Sequence, residues 1–333
     1  MPYAEIFSQN ATYYNTGVNK DYLVPGFPHK LFFIPKDKQF TQTEEAVMFA
    51  TLLAGISNNA AESRIYPLGN FTAMDDKSTD PVISTTSIGS QVFIRDGKYV
   101  LEFTYTKGGI QLHNKIRAMF HNAQDRFDLL WADKDTNTLI GTKAAANTSN
   151  YTKKGLTIDL IYVKQMKLND GSAESKFMIG IVLSDPDEIN ERISISQLDQ
   201  IASPLMSLNG LKDLEFVTFP QPYQVLTAGV AKIRITTGGG ATELYSVIAS
   251  GTTTFASALV ALTANFSFKD AANNTLTCAV SLDAATNTLV FTFSGAAYTA
   301  LGSGAPITCF SPTISQMTAT IPGFANSSFT LYK

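Results

Sequence analysis

Residues 91–105, QVFIRDGKYVLEFTY, set two apolar-rich runs on either side of Asp96-Gly97. Asp-Gly suits both central positions of a type I′ turn, so runs flanking it predict a β-hairpin. An isolated hairpin is marginal in water, so at least one face of such a pair must be buried against something else. The second run alternates Tyr99, Leu101, Phe103 and Tyr105 against Val100, Glu102 and Thr104. Its first row is large and apolar, fit either for the chain's own core or for contact with another subunit.

The surrounding sequence predicts helices as well as strands. Thr41-Gln-Thr-Glu44 reads as a capping box, in which the hydroxyl and the carboxylate satisfy each other's backbone N–H. Val47, Met48, Leu52 and Ile56 follow at helical spacing, and Ser57-Asn58-Asn59 ends the run. A second amphipathic helix is expected over 110–123, with Ile110, Leu112, Ile116, Met119 and Phe120 inward. Strands are expected at KLFFIP, QVFIR, KYVLEFTY, RFDLLWA, TLIGT, LTIDLIYVKQMKL and KFMIGIVLS, with NFTAMDDKSTDPVISTTSIGS as a loop. Alternating βαβ units are lacking, so the class is α+β: a mostly antiparallel β-sandwich or barrel with two packed helices.

Charge divides the chain. Of the 53 Asp, Glu, Lys and Arg residues, only seven lie in 229–333, namely Lys232, Arg234, Glu243, Lys269, Asp270, Asp283 and Lys333. Pro220 and Pro222 precede that stretch, which places a boundary at 222–230 and domains at 1–225 and 226–333. The second part reads as short strands, AKIRITT, TELYSVIA, ANFSFKD, TLTCAVSLD, TLVFTFS, ITCFSPT and FTLYK, with the loop DAATN joining a hairpin. Their spacing predicts a separate all-β sandwich, immunoglobulin-like only in architecture because the lone Trp131 lies outside it. The stretch FASALVALTANF allows a short helix on one face.

No residue pattern points to catalysis. Gly238-Gly239-Gly240 lacks the spacing and lysine of a phosphate loop. Asp133, Asp135 and Asn137 match the first three ligand positions of an EF-hand, but Thr138 and Ala144 replace the glycine and the bidentate glutamate. Asp75, Asp76 and Asp80 read as solvated loop charge rather than a cation site. His113 and His121 stand two turns apart, too far to share one metal, and His29 is isolated. No serine sits in a G-x-S-x-G elbow. Cys278 and Cys309 have neither CxxC spacing nor histidines nearby, leaving packed strand residues or a single disulfide as their readings. The chain is therefore expected not to be an enzyme, and no catalytic, cofactor-binding or metal residue is assigned.

A net charge of −3 gives no basic footprint for nucleic acid. The N-terminus MPYAEIFSQNATYY has no secretory pattern, and the longest apolar run, AVMFATLLAGI, is too short to span a bilayer. A soluble chain made in a cytoplasm is expected, with no membrane partner.

The capped helix, the runs around Asp96-Gly97, the second helix, the later hairpins and the charge-poor appended sandwich together resemble virion structural proteins of tailed bacteriophages. The segment VFIRDGKYVLEFTYTKGGIQLHNKIRAMF with TNTLIGT carries the likeness over about residues 30–185. Tail tube proteins are the most similar class. The resemblance implies homo-oligomeric rings, hexameric in that family, stacked around a channel through which DNA passes without specific binding. It also implies other virion proteins as partners, a long hairpin bridging neighbours, and no site residues to carry over. Another virion component (capsid, decoration or fibre) and a surface glycan-binding module remain as alternatives.

Overall fold

The computed structural model describes residues 4–5, 28–41, 43–44, 47–106, 109–133, 138–144, 152–168, 175–197, 204–211, 214–218, 229–237, 262–283, 288–318 and 323–333. Two compact units emerge, Met1–Ile56 with Ala60–Gly210, and Ser57–Asn59 with Leu211–Lys333.

The first unit contains β1 (Ala4–Glu5), β2 (Pro28–Pro35), β3 (Gln39–Phe40), α1 (Met48–Ile56), β4 (Tyr66–Gly69), β5 (Ala73–Asp76), β6 (Val82–Thr85), β7 (Gln91–Arg95), β8 (Val100–Tyr105), α2 (Gly109–Phe120), β9 (Phe127–Asp133), β10 (Thr138–Lys143), β11 (Lys153–Lys154), β12 (Leu156–Val163), β13 (Phe177–Leu183), α3 (Asp187–Asn190), β14 (Ile193–Gln197) and α4 (Pro204–Ser207). Every pairing among the described strands is antiparallel. The class is α+β with sandwich-like sheets, and no closed barrel forms among the described strands.

One strand makes the corner. β12 begins beside β9, with Leu156 opposite Leu129, and continues beside β13 after a bulge between Ile158 and Leu160. A bulge bends a strand and increases its twist, which lets β12 leave the sheet β14-β10-β9 for the sheet β13-β8-β5. The core lies between these two faces. Leu31 and Phe33 of β2, Leu129 and Trp131 of β9, and Leu101, Phe103 and Tyr105 of β8 meet there. The row of β8 left open between core and subunit contact is thus core from Leu101 to Tyr105, and partly buried Tyr99 packs beside it.

α2 closes the core through Phe120, whose ring lies 4.4 Å from Phe33 and 5.7 Å from Phe127 between centroids. His113, Ile116 and Phe120, with Leu112 partly buried, form its inward face at helical spacing. Ile110 and Met119, expected inward, are instead 58% and 37% exposed. Ile110 lies in the first turn, and Met119 points about 100° away from Phe120 around the helix axis. The capping box before α1 is present: Thr41 N–H donates to Glu44 Oε2 at 2.9 Å, and Glu44 N–H donates to Thr41 Oγ1 at 3.3 Å. Met48, Leu52 and Ile56 are buried, whereas Val47 is exposed.

The second unit holds β15 (Leu214–Thr218), β16 (Val230–Thr237), β17 (Ser267–Asp270), β18 (Thr277–Asp283), β19 (Thr288–Ser294), α5 (Gly295–Ala300), β20 (Pro306–Phe310), α6 (Ile314–Thr318) and β21 (Ser328–Tyr332). Its sheets run β15-β16-β19-β18 and β17-β20-β21, and Ile233, Phe291 and Phe293 of one meet Phe268, Ile307 and Leu331 of the other in a single core. The expected hairpin TLTCAVSLD–TLVFTFS forms, from Thr277 opposite Ser294 to Asp283 opposite Thr288. β15, which the charge boundary assigns to the first domain, pairs with β16. Most of the 222–230 boundary, the strand TELYSVIA, Gly238-Gly239-Gly240, most of FASALVALTANF and the tip of the DAATN loop lie outside the described residues.

Candidate functional site

The sequence placed a reversal at Asp96-Gly97, but the structure reverses elsewhere. β7 does not pair with β8; it pairs with β6, and β8 pairs with β5 and β13. Residues expected as a loop supply the first limb. From Ala73 opposite Thr104 the ribbon runs through Lys77 N–H to Val100 O at 2.8 Å and Thr79 N–H to Lys98 O at 3.0 Å. It continues as β6 beside β7 and turns at residues 86–90, where Thr86 N–H donates to Ser90 O at 2.7 Å. Gly89 has a φ of 83°, a left-handed conformation that glycine adopts without steric penalty.

Asp96-Gly97 lies partway along the second limb. Pro81, which has no N–H to give a ladder, interrupts the first limb nearby, and the register shifts between Val82 and Ile83. Glycine is needed at 97 because the backbone carbonyl of Thr79 occupies the place of a β-carbon.

The result is a long two-stranded arm. Every residue from 75 to 95 is exposed. Ile83 and Phe93 are cross-strand partners, 55% and 57% exposed, while Val92 and Ile94 point to the opposite face as their neighbours in a strand must. Ile88 at the turn is 86% exposed. Both faces of the arm thus present large apolar side chains, and both outer edges of the β6–β7 ribbon are unpaired among the described residues.

Charge secures the base of the arm. Glu102, on the outer side of β8, accepts hydrogen bonds from Tyr162 OH at 2.6 Å and Lys164 Nζ at 2.5 Å. Burial works to raise its carboxyl, but those two bonds and the nearby Lys164 and Lys77 charges hold it below the usual carboxylate range. The same arrangement, with burial first, pushes the Tyr162 hydroxyl up to about 12. Lys98 pairs with Asp159 at 2.7 Å, beside the bulge of β12.

The three histidines weighed for chemistry have structural partners. His113 Nε2 lies 3.1 Å from Lys164 O, and since a carbonyl only accepts, that nitrogen carries the proton. His121 Nδ1 accepts from Val163 N–H at 3.1 Å, and Arg117 donates to Val163 O at 2.9 Å, so three side chains pin the end of α2 and its continuation to the end of β12. His29 Nδ1 lies 3.3 Å from the buried Asp133 carboxylate. Residues 134–137 of the EF-hand-like run lie outside the described residues. Asp75 and Asp76 are exposed on β5, with Asp75 3.5 Å from Lys77, and Asp80 is exposed farther along the same limb. Cys278 and Cys309 are free thiols; burial pushes the Cys278 thiol up to about 12 and raises that of Cys309 as well. Among the described residues no three His, Cys, Asp or Glu side chains converge as a metal site requires, and no helix is long and apolar enough to cross a membrane.

The sequence signals of the arm were present but weak: the short β-branched run Val82-Ile83 and a glycine at 89 inside Thr86–Ser90. Comparison with known protein families, with curated proteins and with solved structures gives no match for this chain.

Proposed function

We propose that this chain is a non-catalytic, self-assembling structural subunit. With the resemblance set out above, its setting is the virion of a tailed bacteriophage, where it serves as a tail tube protein stacking in hexameric rings around a DNA channel. The arm is the observation that carries this reading. A ribbon that keeps Ile83, Ile88, Val92, Phe93 and Ile94 in water loses the stabilisation their burial would bring. Fully burying one such side chain contributes about 1.5–3 kcal/mol, so covering the exposed half or more of these five contributes roughly 4–9 kcal/mol. That is the same order as the ~4–15 kcal/mol lost when two proteins surrender free motion. Its unpaired edges add backbone donors and acceptors that a neighbouring strand can use.

Native mass spectrometry and negative-stain microscopy of the purified full chain, over a range of concentration and salt, test the proposal. Rings or tubes are the expected result. A variant with Ile83, Ile88, Phe93 and Ile94 changed to Ser should keep its circular dichroism and lose assembly. Wild-type chain that stays monomeric under all conditions overturns the reading.

A further inference from the structure

Asn209-Gly210 is the one Asn-Gly pair in the chain. At any asparagine, the backbone nitrogen of the next residue can close a small ring on the side-chain carbonyl carbon, a reaction made rapid by proximity. Two things ordinarily hold it back: a side chain on the next residue that crowds the nitrogen, and a hydrogen bond that occupies its N–H.

Neither operates at Gly210. It has no side chain, and even an added β-carbon would meet nothing closer than 3.7 Å. Its N–H has no acceptor among the described residues. Asn209 itself is exposed, two residues past the end of α4. Other asparagines differ. After Asn122 and Asn190, Ala123 N–H donates to Phe120 O at 3.1 Å and Glu191 N–H to Asp187 O at 2.9 Å. After Asn273 and Asn326, Asn274 N–H donates to Asp270 Oδ1 and Ser327 N–H to Ser311 Oγ, both at 2.8 Å.

Beside Asn209 stands a buried cation. Lys30 is 6% exposed, and its ammonium donates to Met206 O at 2.7 Å, Leu208 O at 2.5 Å and Asn209 Oδ1 at 3.4 Å. All three acceptors are neutral, so this buried charge has no anionic partner among them. A cation on Oδ1 draws electrons from Cγ and stabilises the negative charge that gathers on that oxygen as a nucleophile adds. The site thus favours attack on the amide, and it favours a carboxylate in the amide's place.

We infer that Asn209 is a self-modification site, deamidated by the Gly210 nitrogen with Lys30 as the polarising cation, and that the carboxylate formed becomes the counter-ion of Lys30. The Gly210 nitrogen gives its proton to solvent and bonds to Cγ. The Cγ–Nδ2 bond breaks, and Nδ2 takes a proton from water and leaves as ammonia. A second water molecule then opens the cyclic imide. Attack at Cγ restores the ordinary main chain with aspartate at 209, and attack at the main-chain carbonyl gives the β-linked isomer. Either way an amide and water become a carboxylic acid and ammonia, with no oxidant or reductant.

Ageing the full chain at neutral pH, where Lys30 is charged, tests this by peptide mass spectrometry at each asparagine. Conversion at Asn209 should run about tenfold or more ahead of Asn122, Asn190, Asn273 and Asn326, and Gly210→Ala should slow it about tenfold. Lys30→Met should slow it about tenfold in the folded chain and leave the rate in urea unchanged. In Asn209→Asp, the product made directly, the Lys30 amine followed by NMR should titrate about one unit or more higher than in wild type. An Asn209 that stays intact in the folded chain while converting in urea overturns the site. Folded Lys30→Met that converts as fast as wild type, or an unmoved Lys30 titration in Asn209→Asp, overturns the inference as stated.

Discussion

Gly97 and Thr79 face each other across the arm with no room for a β-carbon between them. Replacing Gly97 with Ala must push the limbs apart and break the ladder bonds at Thr79–Lys98 and Lys77–Val100. A cost of about 1–3 kcal/mol to the arm is expected, as for other forced overpacking. Amide exchange at Lys77, Thr79 and Lys98 should quicken markedly, with the core melting little changed. Asp96→Ala should cost less than about 0.5 kcal/mol, the ordinary range for a position outside any special feature. A type I′ turn at Asp96-Gly97 would instead make both substitutions costly.

Gly180 has a similar role on the outer face of β13, where the ring of Tyr162 lies in the space of the missing β-carbon. Gly180→Ala should displace that ring, break its bond to Glu102 and destabilise the first unit by roughly 1–3 kcal/mol in urea unfolding.

Acid should act through the same cluster. The Glu102 carboxyl is held below its unfolded value, so its contribution is present above about pH 4.3 and is lost as pH falls through the lower folded value. Tyr162→Phe removes one of the two donors and should raise the midpoint of acid unfolding. An unchanged midpoint would mean that Lys164 alone holds the carboxylate.

Lys30 predicts an effect of the same sign at alkaline pH. Burial lowers its amine from the ordinary lysine value to about 8. Between pH 8 and about 10.4 the unfolded chain binds more protons at this group than the folded one, so stability rises with pH across that window. Above about pH 10 the raised hydroxyls of Tyr105 and Tyr162 work against it. Urea unfolding of Lys30→Met should lack the rise, and exchange in residues 204–210 should quicken because Met206 O and Leu208 O lose their donor.

At the start of the chain's first helix, Thr41→Ala removes one half of a reciprocal cap. A loss of about 1 kcal/mol is expected in thermal or urea unfolding. The return bond from Thr41 N–H is the largest cause holding the Glu44 carboxyl below its usual range, with the Thr41 hydroxyl adding to it, so Glu44 titration followed by NMR should move upward in Thr41→Ala, and further where the N–H bond is broken as well.

Strands buried on both faces, such as Phe32-Phe33-Ile34 in β2 or Leu129-Leu130-Trp131 in β9, are legible because an unbroken apolar run has few other fates. The capping box is legible because it is wholly local. The arm is not, and its failure has a physical cause. Asp-Gly is a strong turn signal, but Gly97 is demanded by a close backbone approach from residue 79, which local reading does not see. The partner of QVFIR lies upstream in a stretch whose Asp, Ser, Thr and Pro content resembles a loop. The row of β8 that the sequence leaves open between core and subunit contact is core, and the exposed large apolar side chains lie instead on residues 82–94, where the sequence does not mark them. The inward face of α2 stops short of its two margins, Ile110 and Met119, because helical spacing alone does not say how far the neighbouring sheet extends.

β8 is bonded along one side to β5 and along the other to β13, over the residues that lead into the arm. A pull on Ile88 therefore runs along the strand axis and loads those ladders in shear, many bonds together, rather than peeling them singly. Phe103 and Tyr105, farther down the same strand, are gripped by the rings of the core. Mechanically, the arm is rooted in a strand one place in from the sheet edge and bonded on both sides, so tension applied at its tip is resisted without first unravelling the unit that extends it.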